Sequence, residues 1–129
     1  DCPPSLGLLI INALTAADSV LIPVQTEFYA LEGLGLLMQT IQRVQGGLNT
    51  DLKLLGVIMT MVDSRNSLSS QVVEEVKKHF GDYVFKTQIP RNVRLAEAPS
   101  FGKTIYEHDK CPKGSRAYKS LAKETINRE

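Results

Sequence analysis

The Gly-Lys-Thr tripeptide at 102–104 is the segment that most resembles a catalytic motif, because phosphate-binding loops end in Gly-Lys-Ser/Thr. The complete motif also has a glycine five residues before its second glycine, and this chain has Glu97 there. A phosphate-binding loop also follows a β-strand directly, whereas a Pro-Ser pair precedes this tripeptide. We therefore reject the tripeptide as a phosphate-binding loop, and the sequence contains no other Gly-x-x-x-x-Gly-Lys-Ser/Thr pattern.

The two cysteines and two histidines have no spacing that indicates a metal site or a disulfide framework. Cys2 is far from Cys111 in the sequence, and His79 is far from His108. We expect two free thiols in a reducing cytoplasm and two histidines on the surface.

Three apolar runs predict the β-strands that would position a site: Ser19–Val24, Lys53–Val62 and Tyr83–Ile89. They are rich in Val, Ile and Leu with little alternation, which is typical of strands covered on both faces. Helical patterns flank these runs, at 6–17, 29–45, 67–80 and about 112–128. The first of them is apolar nearly all round. This order predicts a parallel α/β sheet with right-handed crossovers.

Ligands of such a sheet bind at the carboxyl ends of its strands. The loops to consider are therefore Gln25–Phe28, Asp63–Asn66 and Pro90–Arg94, together with the opening Asp1–Ser5. The opening run is typical of a loop after a strand, but no strand precedes it in this sequence. We expect an incomplete sheet with an uncovered edge strand. Such an edge promotes association, because its free backbone groups can pair with another chain.

Four blocks of the sequence resemble the ParA/Soj family of chromosome- and plasmid-partitioning ATPases. They are DCPPSLG with NAL at 1–14, PVQ with YALEGL at 23–34, TMVDSR at 60–65 and IPRNVRLAEAPSFGK at 89–103. Their order and spacing match over essentially the whole chain. The resemblance implies an α/β parallel-sheet fold like that of P-loop NTPases of the deviant Walker A class. Here it would be incomplete, with about three strands and flanking helices.

The resemblance also implies that residues 1–129 are the C-terminal part of a single ATPase domain that starts at Walker B/switch II and lacks the Walker A part. Asp1 corresponds to the Walker B aspartate, a catalytic residue that holds Mg²⁺ through water, as a strongly hydrated cation prefers. In this piece alone, a frayed terminal carboxylate is the alternative reading of Asp1.

The resemblance places the base and ribose of ATP against the loop after the last strand. The implied nucleotide-binding residues are Met61, Asp63, Pro90, Arg91 and Asn92. The Asn92 amide can both donate and accept at the edge of a base. It is also a candidate N-cap of a short helix over 93–98, and the two roles do not exclude each other.

Arg65 and Arg94 match positions at which the family is proposed to contact DNA. An arginine suits phosphate oxygens because its planar guanidinium donates two parallel hydrogen bonds. Residues 65–129 carry thirteen bases and eight acids, whereas residues 1–64 carry two bases and six acids. A basic second half suits an anionic partner, although a solvated basic face is the commoner explanation.

Two functions remain open from the sequence. In the first, the intact protein is a Mg²⁺-dependent ATPase that dimerises with ATP, binds DNA nonspecifically and responds to a ParB-type partner, and this piece alone is inactive. It would be cytoplasmic and nucleoid-associated, with no membrane partner. In the second, the piece is a truncated, non-enzymatic interaction module that associates through its open sheet edge.

Overall fold

The computed structural model describes Cys2, residues 7–109 and residues 112–128. The strands are β1 Ser19–Gln25, β2 Lys53–Val62 and β3 Val84–Pro90. The helices are α1 Leu8–Ala16, α2 Ala30–Gln45, α3 Ser67–Phe80, α4 Val93–Glu97, α5 Ile105–His108 and α6 Pro112–Ile126. Short 3-10 turns follow α3 and α4, at Gly81–Tyr83 and Ala98–Phe101. No helix within these described ranges is long and apolar enough to cross a bilayer.

The strands form one parallel sheet in the order β1-β2-β3, which confirms the predicted α/β class. Helices α2 and α3 connect consecutive strands, as parallel neighbours require. The observed strands agree with the predicted ones to within one residue at each end. The predicted helix over 93–98 is observed as α4 followed by a 3-10 turn. Helix α5 was not predicted, because its four residues are too few to show a helical period.

The sheet packs against helices on both faces. Val57 and Met59 of β2 belong to a core that includes residues of α1, α2 and α3. Ile58, between them, belongs to a second core with Phe85 of β3, against which Leu121 of α6 packs. The switch from one core to the other follows from the alternation of side chains along a strand. This two-sided burial explains why the strand sequences are apolar with little alternation.

An apolar groove of about 600 Å³ lies beside β1. It is lined by residues of β1, α1 and α2, among them Leu14, Ile22 and Leu34. Helix α1 leaves Leu8 and Leu9 largely exposed, at 77% and 67%. Within the described residues β1 pairs only with β2, so β1 is an edge strand with apolar surface next to it.

The outer edge of β3 is covered by the carboxylate of Glu124, on α6. That carboxylate accepts the backbone N–H groups of Lys86 and Thr87 at 2.7 and 2.8 Å. Arg128 donates to Glu124 at 3.1 Å, and its guanidinium lies 4.1 Å from the centroid of the Phe85 ring. Helix α6 is therefore attached to β3 by charged hydrogen bonds as well as by apolar contacts.

Replacing Glu124 with alanine should destabilise the fold by about 1–3 kcal/mol, because two strand N–H groups lose a charged acceptor. Partial burial raises the pKa of Glu124, but hydrogen bonds from Thr87, Lys86 and Arg128 outweigh it and hold the pKa below that of an ordinary glutamate. The stabilisation is therefore fully present at pH values well above the ordinary glutamate pKa, and it is lost as the pH falls through the lower folded-state pKa. Urea unfolding at pH 7 and at pH 3 tests this, with exposed Glu74→Ala as control. A difference from wild type that does not depend on pH would contradict it.

Candidate functional site

The loops that follow the three strands meet at the carboxyl edge of the sheet. The N–H of Thr26, after β1, donates to the Thr60 carbonyl of β2 at 3.3 Å. The N–H of Arg91, after β3, donates to the Val62 carbonyl at 3.0 Å. The Arg91 guanidinium also lies 3.4 Å from the carboxylate of Glu27. The three predicted ligand loops that follow strands are thus neighbours in space, as the parallel topology requires. The fourth, Asp1–Ser5, lies outside the described residues apart from Cys2.

Met61, near the end of β2, has a left-handed backbone with φ of +52°. For a residue with a side chain this conformation is unfavourable by about 1–2 kcal/mol. Met59 is opposite Gln88 and Val62 is opposite Pro90, so β2 has one more residue than β3 in this interval. Such a bulge bends a strand and redirects a side chain. The Met61 side chain is accordingly exposed, although it lies within a strand.

A continuous series of hydrogen bonds joins Met61, in this bulge, to Asp63, the residue directly after β2. The N–H of Asp63 donates to Ser69 Oγ at 3.2 Å, the Ser69 hydroxyl donates to Thr26 Oγ1 at 2.8 Å, and the Thr26 hydroxyl donates to the Met61 carbonyl at 3.1 Å. We call this series the hydroxyl chain. Ser69 and Thr26 are 2% and 5% exposed, and they are the two buried polar residues of the described part of the chain.

Arg65 is bound to Asp63 by two parallel side-chain hydrogen bonds, Nε to Oδ1 at 3.1 Å and NH2 to Oδ2 at 3.0 Å. The backbone N–H of Arg65 donates to Oδ1 as well, at 3.1 Å. These bonds, the side-chain pair first, lower the pKa of Asp63 from 3.8 to about 2, and the charge of Arg91 acts in the same direction. The Arg65 side chain is 89% exposed, so an ionised Asp63 orients a guanidinium that remains accessible to solvent.

Asn92 is the N-cap of α4, since its side-chain oxygen accepts the N–H of Arg94 at 2.8 Å. This is one of the two roles that the sequence left open. Capping leaves the second lone pair of the oxygen and the amide N–H groups for other contacts. Half-buried Pro90 lies two residues before Asn92 and is paired with Val62, and Met61, next to Val62, has an exposed side chain. Apolar side chains and an amide donor from neighbouring strand ends are the groups that a flat heteroaromatic ring requires.

Arg94 lies on α4 and pairs with Glu97 at 3.0 Å. Glu97 also contacts the His108 ring nitrogen at 3.4 Å, and the ring of His108 stacks on Phe101 with centroids 4.9 Å apart. The hydrogen bond from Arg94, followed by that from His108, lowers the pKa of Glu97. The Arg94 side chain is 60% exposed. Arg65 and Arg94 are therefore both accessible, and each is paired with a carboxylate close to it in the sequence.

Asp1, the predicted catalytic and metal-binding residue, lies outside the described residues. Within them, no group of three or more His, Cys, Asp or Glu side chains is arranged to hold a metal ion. The metal-binding prediction therefore depends on Asp1 alone. Cys2 is exposed with a free thiol, and Cys111 lies outside the described residues.

The sequence interpretation overlooked Thr26 and Ser69. Ser69 precedes Val72, Val73 and Val76 by three, four and seven positions, so it lies on the buried stripe of α3. A serine on an apolar stripe indicates a buried hydrogen bond, because a buried hydroxyl without a partner is unfavourable. That signal could have been read from the sequence. The partner of Ser69 could not, since Thr26 is 43 residues away.

Comparison with known proteins identifies relatives over the full chain. A family model described as an AAA domain matches residues 1–54. The chromosome partitioning protein ParA of Caulobacter vibrioides is 58% identical over 129 residues, all of this chain and 48% of that protein. The sporulation initiation inhibitor protein Soj of Bacillus subtilis is 63% identical over 124 residues, 96% of this chain and 49% of that protein. The chain thus spans about half the length of the curated relatives it matches.

Two solved structures have folds similar to the one observed for this chain. Cobyrinic acid a,c-diamide synthase from Mycobacterium smegmatis, with a bound ATP analog and magnesium, matches with a TM-score of 0.74 at 41% identity. The match covers 95% of this chain and 44% of that one. Apo McdA from Cyanothece matches with a TM-score of 0.82 at 21% identity, over 96% of this chain and 50% of that one, and bears on the fold alone. The sequence relatives confirm the family resemblance, and the two structures confirm the α/β fold that it implied.

Proposed function

The chain is homologous to the ParA/Soj chromosome-partitioning ATPases over essentially its full length, and on this premise we propose that it is the C-terminal part of one such ATPase domain. The observation that carries the proposal is the identity of 58–63% to ParA and Soj proteins. The intact protein would dimerise with ATP, bind DNA without sequence preference and respond to a ParB-type partner. It would act in the cytoplasm on the nucleoid.

The base and ribose of ATP would lie at the junction of the loops after β2 and β3. The exposed Met61 side chain and Pro90 offer an apolar surface to the ring, and the Asn92 amide offers a donor to its edge. Arg91 and Asp63 flank this surface with opposite charges. The described residues therefore suit the base side of a nucleotide site.

The phosphates and Mg²⁺ would be held elsewhere in the domain. Asp1 would hold the hydrated Mg²⁺, which supplies positive charge at the phosphate oxygens when it is bound. The backbone N–H groups of a Walker A loop would hold the phosphates, and this sequence contains no such loop. We therefore propose that residues 1–129 alone do not hydrolyse ATP.

DNA would be bound by Arg65 and Arg94. Both guanidiniums are mostly exposed, and Asp63 and Glu97 already orient them. Contacts from arginine to phosphate carry no sequence information, so binding would be nonspecific and would weaken with salt.

The same edge of the sheet also supports a dimer. Phe28 and Tyr29, after β1, form an edge-to-face pair with centroids 5.5 Å apart, and they are 67% and 78% exposed. Exposed aromatic pairs are enriched where protein surfaces meet. We place the ATP-dependent homodimer contact at this pair.

A non-enzymatic role for the piece is supported by a different observation. The apolar groove beside β1 and the exposed leucines of α1 form an exposed apolar patch. Such patches mark sites of protein association. We propose that in the intact protein this groove packs against the Walker A half of the domain, since this chain spans only about half the length of its relatives. In that half's absence, the piece would associate through the same surface with a second copy of itself.

Calorimetry with Mg²⁺-ATP tests the proposed function. The intact protein should bind ATP, and residues 1–129 alone should give no binding heat. In the intact protein Asn92→Asp should weaken binding on the order of tenfold. Aspartate caps a helix as well as asparagine does, so this change removes the amide donor and keeps α4.

Asn127→Asp is the charge-matched control, because Asn127 is exposed after α6 and the adjacent Arg128 contacts residues at the amino end of β3, away from the site. It should leave ATP affinity unchanged. Failure of the intact protein to bind ATP would overturn the proposed function, and tight binding by residues 1–129 would overturn the division of the site. Equal affinities for Asn92→Asp and wild type would overturn the assignment of Asn92.

A further inference from the structure

The hydroxyl chain has a single direction. The Ser69 hydroxyl accepts from the Asp63 N–H and donates to Thr26, and the Thr26 hydroxyl accepts from Ser69 and donates to the Met61 carbonyl. Each hydroxyl has one proton, and each proton is donated to the next acceptor in the chain. Within the described residues no buried side-chain nitrogen or oxygen lacks a partner. The hydroxyl chain is therefore complete, and removing either hydroxyl leaves a buried neighbour unsatisfied.

The ends of the hydroxyl chain lie on the two sides of Val62, at the Met61 carbonyl within the bulge and at the Asp63 N–H directly after β2, so it forms a ring across Val62. A left-handed residue other than glycine persists only where its surroundings fix it. Thr26 fixes the carbonyl of Met61, and Ser69 fixes the N–H of Asp63. Thr26 follows β1 and Ser69 is in the first turn of α3. The bulge is thereby held from two separate elements of the fold.

The bulge also joins two parts of the proposed site. Met61 presents its exposed side chain to the base side, and two residues later Asp63 binds the guanidinium of Arg65. A change in the backbone at Met61 would move Asp63, and Arg65 would follow Asp63 through three hydrogen bonds. A short covalent path would thus connect the geometry of the proposed nucleotide side to an arginine of the proposed DNA side.

We propose that Thr26 and Ser69 are positioning residues that hold segment 61–65 as one unit, and so set the nucleotide contact and the DNA contact together. This inference rests on the proposed function and adds to it two residues that touch neither ligand. A polar pair that only stabilises packing would behave differently. It would change the stability of the protein without changing both affinities in parallel.

The test uses the intact ATPase with Thr26→Val and Ser69→Ala, which remove one hydroxyl each at nearly constant or smaller volume. Affinity for Mg²⁺-ATP and affinity for a duplex DNA of unrelated sequence should both fall on the order of tenfold in each variant. Thr26→Ser keeps the hydroxyl and should retain both affinities. Thr125→Val is the matched control, because the Thr125 hydroxyl only bonds back to Leu121 in its own helix. It should match wild type.

A second measurement does not depend on binding. In wild type the amide hydrogen of Asp63 should exchange slowly with solvent, because it donates to a buried oxygen, and Ser69→Ala should accelerate its exchange on the order of tenfold. Thr125→Val should leave that rate unchanged. Unaltered exchange at Asp63 in Ser69→Ala would overturn the inference.

The outcomes separate the inference from the proposed function. Wild type that binds neither ATP nor DNA would overturn the proposed function, and the inference with it. Wild type that binds both, with Thr26→Val and Ser69→Ala indistinguishable from Thr125→Val, would overturn the inference alone. Equal losses in Thr26→Ser and Thr26→Val would also overturn it, since side-chain size and not the hydroxyl would then matter.

Discussion

Replacing both Arg65 and Arg94 with glutamate should abolish DNA binding by the intact ATPase, with a much smaller loss of its affinity for ATP. Each replacement removes a donor fork and puts a negative charge near a DNA phosphate. Losing two phosphate contacts and adding two repulsive ones should weaken DNA binding on the order of 100-fold or more. Electrophoretic mobility shift with duplex DNA and a non-hydrolysable ATP analogue measures the loss.

The salt dependence gives a second readout. Each lost phosphate contact should reduce the slope of log affinity against log salt concentration by about 0.9. Arg65→Lys should keep most of the charge effect and lose the two parallel hydrogen bonds with which Asp63 orients the guanidinium. Its slope should therefore stay near that of wild type while its affinity falls.

The control for this experiment is Arg43→Glu with Arg116→Glu. Both arginines are exposed, on α2 and α6, and the pair changes the net charge by the same amount. This control should bind DNA nearly as wild type does. A double variant at 65 and 94 that still shifts DNA at low salt would contradict the placement of the DNA surface. So would an equal loss in the control.

Replacing Gly56 with alanine should destabilise the protein by about 2–5 kcal/mol. Gly56 lies in the central strand β2 with φ of +156°, and a Cβ there would meet the Tyr83 carbonyl oxygen at 2.5 Å. It would also meet the ring of Phe85 at 2.6 Å. Phe85 is fully buried beneath Arg128 and the Tyr83 oxygen is backbone, so neither can move aside easily.

Urea unfolding measures this loss, which is a large part of the roughly 5–15 kcal/mol that stabilises a typical domain. Gly35→Ala is the matched control, because a Cβ at that position in α2 meets no atom within 4 Å. It should stabilise the protein by about 0.5–1 kcal/mol, since alanine favours a helix over glycine. A Gly56→Ala variant as stable as wild type would contradict the close packing of β2 against β3.

Elements that depend on local pattern could be predicted from the sequence. Lys53–Val62 and Ser67–Phe80 are observed with the predicted bounds, because the first is a mainly apolar run and the second has a capping asparagine and a terminal glycine. The convergence of the ligand loops was also predictable, since parallel strands place their carboxyl ends at one edge. The roles of Met61, Pro90 and Asn92 toward ATP stay predictions.

Features that depend on distant partners could not be predicted. The bulge at Met61 has no sequence signal, because methionine has no preference for the left-handed region and the conformation is imposed by Thr26 and the register with β3. Glu124 lies on the apolar stripe of α6, three residues after Leu121. The sequence therefore showed an acidic residue at a position where an apolar one is expected. Its partners, two backbone N–H groups on β3, were not.

The carboxylate that covers β3 makes the two edges of the sheet unequal. With the N–H groups of Lys86 and Thr87 occupied by Glu124, a further strand cannot add on that side unless α6 first detaches. Within the described residues, the β1 edge has no such cover and pairs with no further strand on its outer side. Chains that join edge to edge through β1 would therefore pair once and stop, because such a dimer exposes two closed ends. We expect Glu124, on α6, to limit open-ended polymerisation into fibrils in this way.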